Sequence, residues 1–375
     1  MKVLVLAPPM EGYGGIQRYT ATLVRALVEL FEEKGVRLLA IKRSSGDDGR
    51  GSIRLRAAVK VGFLGKTLRN AFAWRPDLVI CAHVALAPLG WLLRTLWGSE
   101  YWVIAYGIEV WGRLPRWNHR ALVRSDRLVA ISDFTRQQLV RRQGVPPGRT
   151  CVLPPALETE WVSKAVAWTA CPRKDSRPTL LTVSRLDENE RYKGHDVVLR
   201  ALVQVREKVP GVLYLVVGDG NDRPRLEGLT CSLGLDGSVR FLGAVSPEEL
   251  TACYRDCDVF LMPSNTVLDR VAPKGEGFGI VFLEAMAYGK PVIGPNLGAP
   301  TEWIRHGEHG LLVNPEDSQG VAQALIELLL SPNRAQEMGA AGRDWVQREY
   351  GYENFRKRVQ LLLSEDVPTT SGKAS

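Results

Sequence analysis

The feature that most constrains this chain is a repeated alternation of short, largely apolar runs with amphipathic stretches. Val3–Ala7 reads VLVLA without a polar residue. A glycine-rich turn, Gly12-Tyr13-Gly14-Gly15, follows it. Next comes a stretch whose apolar positions Ile16, Tyr19, Leu23, Leu27 and Leu30 keep the three-to-four spacing of a helix, ended by Gly35. Val36–Ile41, Leu78–Ala82, Trp102–Ala105 and Leu128–Ile131 read as further buried strands with helices between them. A strand with no polar face must be covered on both sides, which is the condition of a parallel sheet flanked by helices. The polar stretch Arg43–Arg56 reads as a loop.

The pattern lapses around Pro154–Pro178, with prolines at 154, 155, 172 and 178, and then restarts. Strands are expected at Thr179–Val183, Leu213–Val217, Val239–Phe241, Val259–Met262, Pro291–Ile293 and Gly310–Val313. Helices are expected to start near Gly194, Arg223, Pro247, Gly279 and Ser318. The expected class is therefore α/β, with two doubly wound parallel-sheet, Rossmann-like domains: 1–165, 166–350, and 351–375 as a terminal helix (about Tyr352–Ser364) and a polar, disordered tail from Asp366. A chain of 375 residues with 45% hydrophobic content has material for two such cores.

Charge is uneven along the chain. Of 49 Lys and Arg, 25 fall within residues 1–165 against 13 of the 41 Asp and Glu, so this part carries +12 and the remainder −4. The excess is interleaved with aromatics in WLLRTLWGSEYW (91–102) and WGRLPRWNHRALVR (111–124). Such a surface suits anions, an anionic membrane or a lipid-phosphate acceptor above all, and an ordinary solvated surface is the plain alternative. Nucleic acid is not the expected partner. No apolar run reaches the ~20 residues of a membrane span. MKVLVLAPPM is too short and proline-broken for a signal peptide. Six cysteines without C-x2-C spacing fit a reducing, cytoplasmic setting, with peripheral contact at the inner face of a membrane allowed by the basic N-terminal part.

The densest chemistry lies in EGFGIVFLEAMAYGKPVIG, Glu276 to Gly294. A Gly-Phe-Gly turn opens an apolar helix, so backbone N–H groups and the positive helix end point at whatever lies above, which suits a phosphate. Gly277 and Gly279 allow close approach, and Glu276 and Glu284, eight apart, can each hold a pair of hydroxyls. Upstream, SRLDENERYKG places Arg185 and Lys193 beyond the strand Thr179–Val183, where two cations can hold a diphosphate.

Together these strings resemble the retaining nucleotide-sugar glycosyltransferases of family 4, with the GT-B fold of two Rossmann-like domains facing a cleft. The resemblance covers nearly the whole chain and is strongest over 179–315. It implies a hexose donor linked to GDP or UDP, a glycan or lipid-linked acceptor held mainly by the N-terminal domain, no cofactor and no metal. It assigns Arg185 and Lys193 to the leaving diphosphate, Glu284 to the ribose, and Glu276 with the backbone of Gly277, Phe278, Gly279 and Ile280 to the hexose. Gly218 and Val245 would edge the nucleotide, and Gly14 and Gly15 would abut the donor from the opposite wall. The stretch VLDRVAPKGEGFGIVFLEA is closest to the family's mannosyltransferases that use GDP-mannose.

Two departures stand out. The family spaces its arginine and lysine more closely, which leaves open whether Arg191 shares the role. Tyr106 stands where the family often has histidine, with Glu109 after it, so these two are the acceptor-side candidates; His119 is too far along to substitute. Ser132 resembles the family's serine at a helix start and reads foremost as a plain N-cap. Asp258 of the Asp256-Cys257-Asp258 triplet reads as a strand-end cap rather than a metal ligand, and His306 and His309 as structural. His83, at a strand end, reads as structural, with a place facing the cleft as the alternative. A nucleotide-sugar epimerase or phosphorylase on the same fold would need acid–base carboxylates or a lysine-bound cofactor, whose signatures are not seen. A non-catalytic anion-binding module is the other rival.

Overall fold

The structure is a computed structural model that describes residues 1–11, 14–42, 57–158, 161 and 176–365. Gly12, Tyr13, the stretch 43–56, most of the proline-rich linker and the tail from Asp366 lie outside the described residues. Contacts divide the chain into two units, Met1–Ala156 with Tyr352 onward, and Leu157–Gly351. The expected 165/166 division falls within the undescribed linker.

The first unit holds a parallel six-stranded sheet ordered β2-β1-β3-β4-β5-β6. Its strands are β1 (Val3–Ala7), β2 (Val36–Ala40), β3 (Leu78–Cys81), β4 (Glu100–Ala105), β5 (Arg127–Ala130) and β6 (Thr150–Val152). In β1 every residue is buried, as an unbroken apolar run requires when helices cover both faces. The helix Gly15–Gly35 carries Tyr19, Leu23 and Leu27 into the core, with one non-helical residue at Glu32. The terminal helix Tyr352–Ser364 packs on it: Phe355 meets Tyr19 edge-on at 5.7 Å, and the Arg25 guanidinium lies 4.0 Å over the Tyr352 ring. Arg127, buried on β5, donates to the carbonyls of Leu362 and Glu365 and lies over Trp102, so its charge is compensated where it enters the core.

The second unit repeats the plan with a parallel sheet ordered β12-β11-β10-β7-β8-β9. Its strands are β7 (Thr179–Val183), β8 (Leu213–Val217), β9 (Val239–Gly243), β10 (Val259–Leu261), β11 (Val292–Pro295) and β12 (Gly310–Val313). Read from the β9 edge, this is the 3-2-1-4-5-6 order of dinucleotide-binding sheets, with the reversal between β7 and β10. Val198, Leu202 and Val205 of the helix His195–Lys208 share one core with Val321, Leu325 and Leu328 of the helix Ser318–Leu330. Each such side chain, fully buried, contributes roughly 1.5–3 kcal/mol. Among the described residues no helix is long and apolar enough to cross a membrane.

Candidate functional site

In a doubly wound sheet the strand connections diverge where the order reverses, leaving a crevice beyond the carboxyl ends. In the second unit that crevice lies beyond β7 and β10, and the predicted cations stand there. The chain leaves β7 through Ser184 and Arg185, forms the 3₁₀ turn Glu188–Lys193 and enters the helix His195–Lys208 through Gly194. Gly194 has φ +82°, and a Cβ on it would lie 2.2 Å from the Pro263 carbonyl beyond β10. The Asn265 amide donates to the Tyr192 carbonyl at 2.6 Å. The two loops of the switch point are thus joined backbone to backbone.

The β8 loop is seated just as closely. Gly218 has φ +124°, and a Cβ there would stand 1.8 Å from the Ser184 carbonyl oxygen, so no other residue fits without moving the backbone. Its amide donates to the Gly243 carbonyl at the end of β9, two residues before Val245. Val245 precedes Ser246, which caps the next helix in a reciprocal box with Glu249.

Within this frame Lys193, almost fully buried, approaches Glu190 Oε2 at 2.6 Å, and Arg185, mostly exposed, pairs with Glu190 Oε1. Arg191 points elsewhere. It pairs with Asp222 at 2.8 Å, inside a network where Arg225 bridges Asp222 and Asp196. Glu276 completes the cluster. Burial pushes its carboxyl up, Lys193 and Arg185 pull it down, and the Glu190 charge adds to the rise. Its Oε1 is buried and has no hydrogen-bond partner among the described residues. An orphaned carboxylate oxygen is costly, and a hydroxyl donor would satisfy it.

Beyond Glu276 the turn is rigid. Phe278 stacks on Trp303 with centroids 4.0 Å apart, and Tyr350 meets it edge-on at 5.9 Å. Gly279 caps the helix Ile280–Ala287 at φ +88° without a side-chain cap. Gly277 has no positive φ; the left-handed positions in this turn are Gly275 and Gly279. Glu284, one turn into the helix, is 2% exposed, and Tyr254 donates to its Oε2 at 2.7 Å. Its surroundings are aromatic, with Tyr254 stacked on Tyr288.

A buried relay supports the start of the β7 loop. Ser184 Oγ lies 2.8 Å from His195 Nε2, Tyr214 Oη lies 3.4 Å from His195 Nδ1, and Tyr214 donates to Thr182 Oγ1, which donates to the Leu261 carbonyl on β10. Burial and the Lys193 charge pull the His195 imidazole down to about 4.

In the first unit Tyr106 is buried edge-on to Tyr19 at 5.5 Å, and its hydroxyl lies 3.2 Å from Thr20 Oγ1. Glu109 accepts the Tyr106 amide. Both groups expected to face an acceptor are thus engaged inside their own unit. Gly14 caps the helix Gly15–Gly35 with an ordinary φ of −79°, and a Cβ on Gly15 would meet nothing within 4 Å. Ser132 caps the helix Asp133–Gln143 by accepting from Thr135, and Asp258 accepts the Thr179 amide at 2.7 Å. Asp256 is held by Arg255, and His306 accepts the Leu312 amide. His309 stacks on Trp345, His83 accepts the Ala85 amide, and His119 lies 3.0 Å from the Gln143 carbonyl. Tyr254 and the Ser184–His195–Tyr214 relay are additions the sequence did not point to, and Glu190, an acid between two cations, was not singled out.

Residues 170–345 match the family described as Glycosyl transferases group 1, and residues 13–161 match Glycosyltransferase Family 4. The chain is also 34% identical over 295 residues, 75% of its length and 74% of the relative's, to a GDP-mannose-dependent alpha-(1-6)-phosphatidylinositol monomannoside mannosyltransferase of Mycobacterium tuberculosis. The chain belongs to the group 1 glycosyl transferases. Its fold is GT-B, as the crystal structures similar to it agree. Sucrose-phosphate synthase from Thermosynechococcus elongatus superposes with a TM-score of 0.77 at 21% identity, covering 97% of this chain and 98% of that one. Anabaena HepE in complex with UDP gives 0.73 at 18% identity, covering 97% and 100%. In this glycosyltransferase the Arg185, Lys193 and Glu276 cluster thus sits at the switch point of the second Rossmann-like sheet.

Proposed function

We propose that this glycosyltransferase moves a hexose, mannose from GDP-mannose in the first place, to a lipid-linked or glycan acceptor with retention of anomeric configuration and without a metal. The observation that carries the reading is the cluster beyond β7 and β10: two cations suited to a diphosphate beside a buried carboxylate oxygen lacking a donor. Arg185 and Lys193 neutralise the leaving diphosphate, Glu276 takes hexose hydroxyls, and the uncapped N-terminus at Ile280 adds its dipole. Glu284 holds the ribose hydroxyls, fixed by Tyr254. No side chain acts as nucleophile; the leaving phosphate accepts the acceptor's proton on the same face, and the protein supplies orientation and charge. The choice of GDP-mannose and of a phosphatidylinositol-type lipid acceptor rests on the mycobacterial relative.

The first unit fits an anionic surface. Trp117 is 64% exposed, lies 6.3 Å from Trp91, and both rings carry an arginine, Arg120 and Arg124. Amphipathic aromatics among cations suit a headgroup layer.

Incubation with GDP-, UDP- and ADP-sugars and a phosphatidylinositol mannoside, with EDTA present, tests the function. Transfer from GDP-mannose giving an α-linked product supports it. An inverted product, strict dependence on Mn²⁺ or Mg²⁺, or no transfer from any donor contradicts it.

A further inference from the structure

Glu190 lies between Arg185 and Lys193 in the chain, and it spans both cations. One carboxylate oxygen pairs with the Arg185 guanidinium and the other lies 2.6 Å from the Lys193 ammonium. The second contact is off the hydrogen-bond direction, so Oε2 is buried and held by charge alone. The turn around it is fixed: Asp187 Oδ1 accepts the Asn189 amide, Asn221 Oδ1 accepts the Glu188 amide, and Asn265 grips the Tyr192 carbonyl. Glu190 is therefore aimed at the cations by its backbone. A carboxylate spread over an arginine and a lysine makes the contacts that two phosphate oxygens would make.

The local charges balance: Arg185 and Lys193 against Glu190 and Glu276. A diphosphate entering beside both carboxylates would meet a site with no net positive charge.

We propose that Glu190 is a resident counter-anion that the donor's diphosphate displaces and that competes again for Arg185 and Lys193 when the nucleoside diphosphate leaves. It limits how tightly the product is held. This rests on the reading of Arg185 and Lys193 as diphosphate-holding groups and adds a residue that sets their affinity.

Calorimetry with GDP and UDP, and with guanosine and uridine as probes lacking phosphate, tests it on wild type, Glu190→Gln and Glu190→Asp at one ionic strength. Glu190→Gln removes the charge at nearly constant shape; Glu190→Asp is too short to span both cations. The expected result is nucleoside diphosphate bound on the order of tenfold more tightly by Glu190→Gln, a change of about 1.4 kcal/mol. A smaller gain is expected in Glu190→Asp, with nucleoside binding unchanged in both. A merely structural role for the turn would weaken nucleoside and nucleotide alike. If wild type binds the nucleoside diphosphate and neither variant binds it more tightly, this inference is overturned while the proposed function stands. If wild type binds no nucleoside diphosphate, both fall.

Discussion

Tyr254 donates its hydroxyl to Glu284 Oε2 at 2.7 Å, and so fixes a buried carboxylate from within a stack of aromatic rings. Tyr254→Phe should remove this donor from the buried carboxylate and lower stability by about 1–3 kcal/mol, read from a denaturant midpoint. Glu284→Ala should weaken free nucleoside diphosphate and intact donor alike, by roughly 10- to 100-fold for the loss of one charge-assisted hydrogen bond. Unchanged nucleotide affinity in Glu284→Ala removes Glu284 from the donor site.

Glu276 should behave differently, because its buried oxygen awaits a partner that only the sugar brings. Glu276→Ala should leave binding of bare nucleoside diphosphate within about threefold and cut turnover by roughly 10- to 100-fold. Burial raises the Glu276 carboxyl, and the reaction needs it ionised, so wild-type kcat/KM should fall on acidification at a pH above the ordinary carboxylate range. A pH–rate profile with no acid limb above that range contradicts the assignment.

The His195 relay predicts an acid weakness of the fold. Its imidazole is held down to about 4, against an ordinary 6.5, so the unfolded chain takes up a proton that the folded chain refuses. The stability it contributes is complete above about pH 6.5 and is lost as pH falls toward about 4, at up to about 1.4 kcal/mol per pH unit. His195→Gln should be less stable than wild type at pH 7 and should lose less between pH 6.5 and 4.5. Parallel pH–stability curves for the two proteins sink this account.

Trp117 and its arginines predict binding to anionic vesicles that weakens as salt rises from roughly 0.05 to 0.5 M. Trp117→Ala should reduce co-sedimentation several-fold without changing nucleotide affinity. Absence of wild-type binding even at low salt removes the membrane reading.

What the sequence made legible follows from what each element depends on. β1 is buried on both faces, so its apolar run announced it, and Gly279 marked a helix start because only a left-handed residue fits there. β6 went unforeseen: three half-buried residues carry too little pattern. The helix Pro332–Glu349 was missed because glycine, not an apolar stripe, seats part of it. A Cβ on Gly339 would lie 2.0 Å from the Gly289 carbonyl. Arg185, Lys193 and Glu276 could be found as residues beside strand ends and turns. Tyr254 is thirty residues from Glu284 and joined to it only by the fold. Glu190 did carry a signal, an acid between two cations, but its direction is set by a turn that spacing does not show. Tyr106 was read as an acceptor-side candidate from its place after a strand, and its burial against Thr20 and Tyr19 is set by the fold.

The central claim, that the paired cations beyond β7 hold the donor's diphosphate, is tested most directly by titrating wild type, Lys193→Ala and Arg191→Ala with GDP and UDP in a calorimeter. Arg191 is committed to Asp222 at 2.8 Å, whereas Lys193 points into the cluster with Arg185 and Glu276. Lys193→Ala should weaken the nucleoside diphosphate by roughly 10- to 100-fold, and Arg191→Ala should change it by less than about threefold. Full affinity in Lys193→Ala, or equal losses in the two variants, contradicts the account.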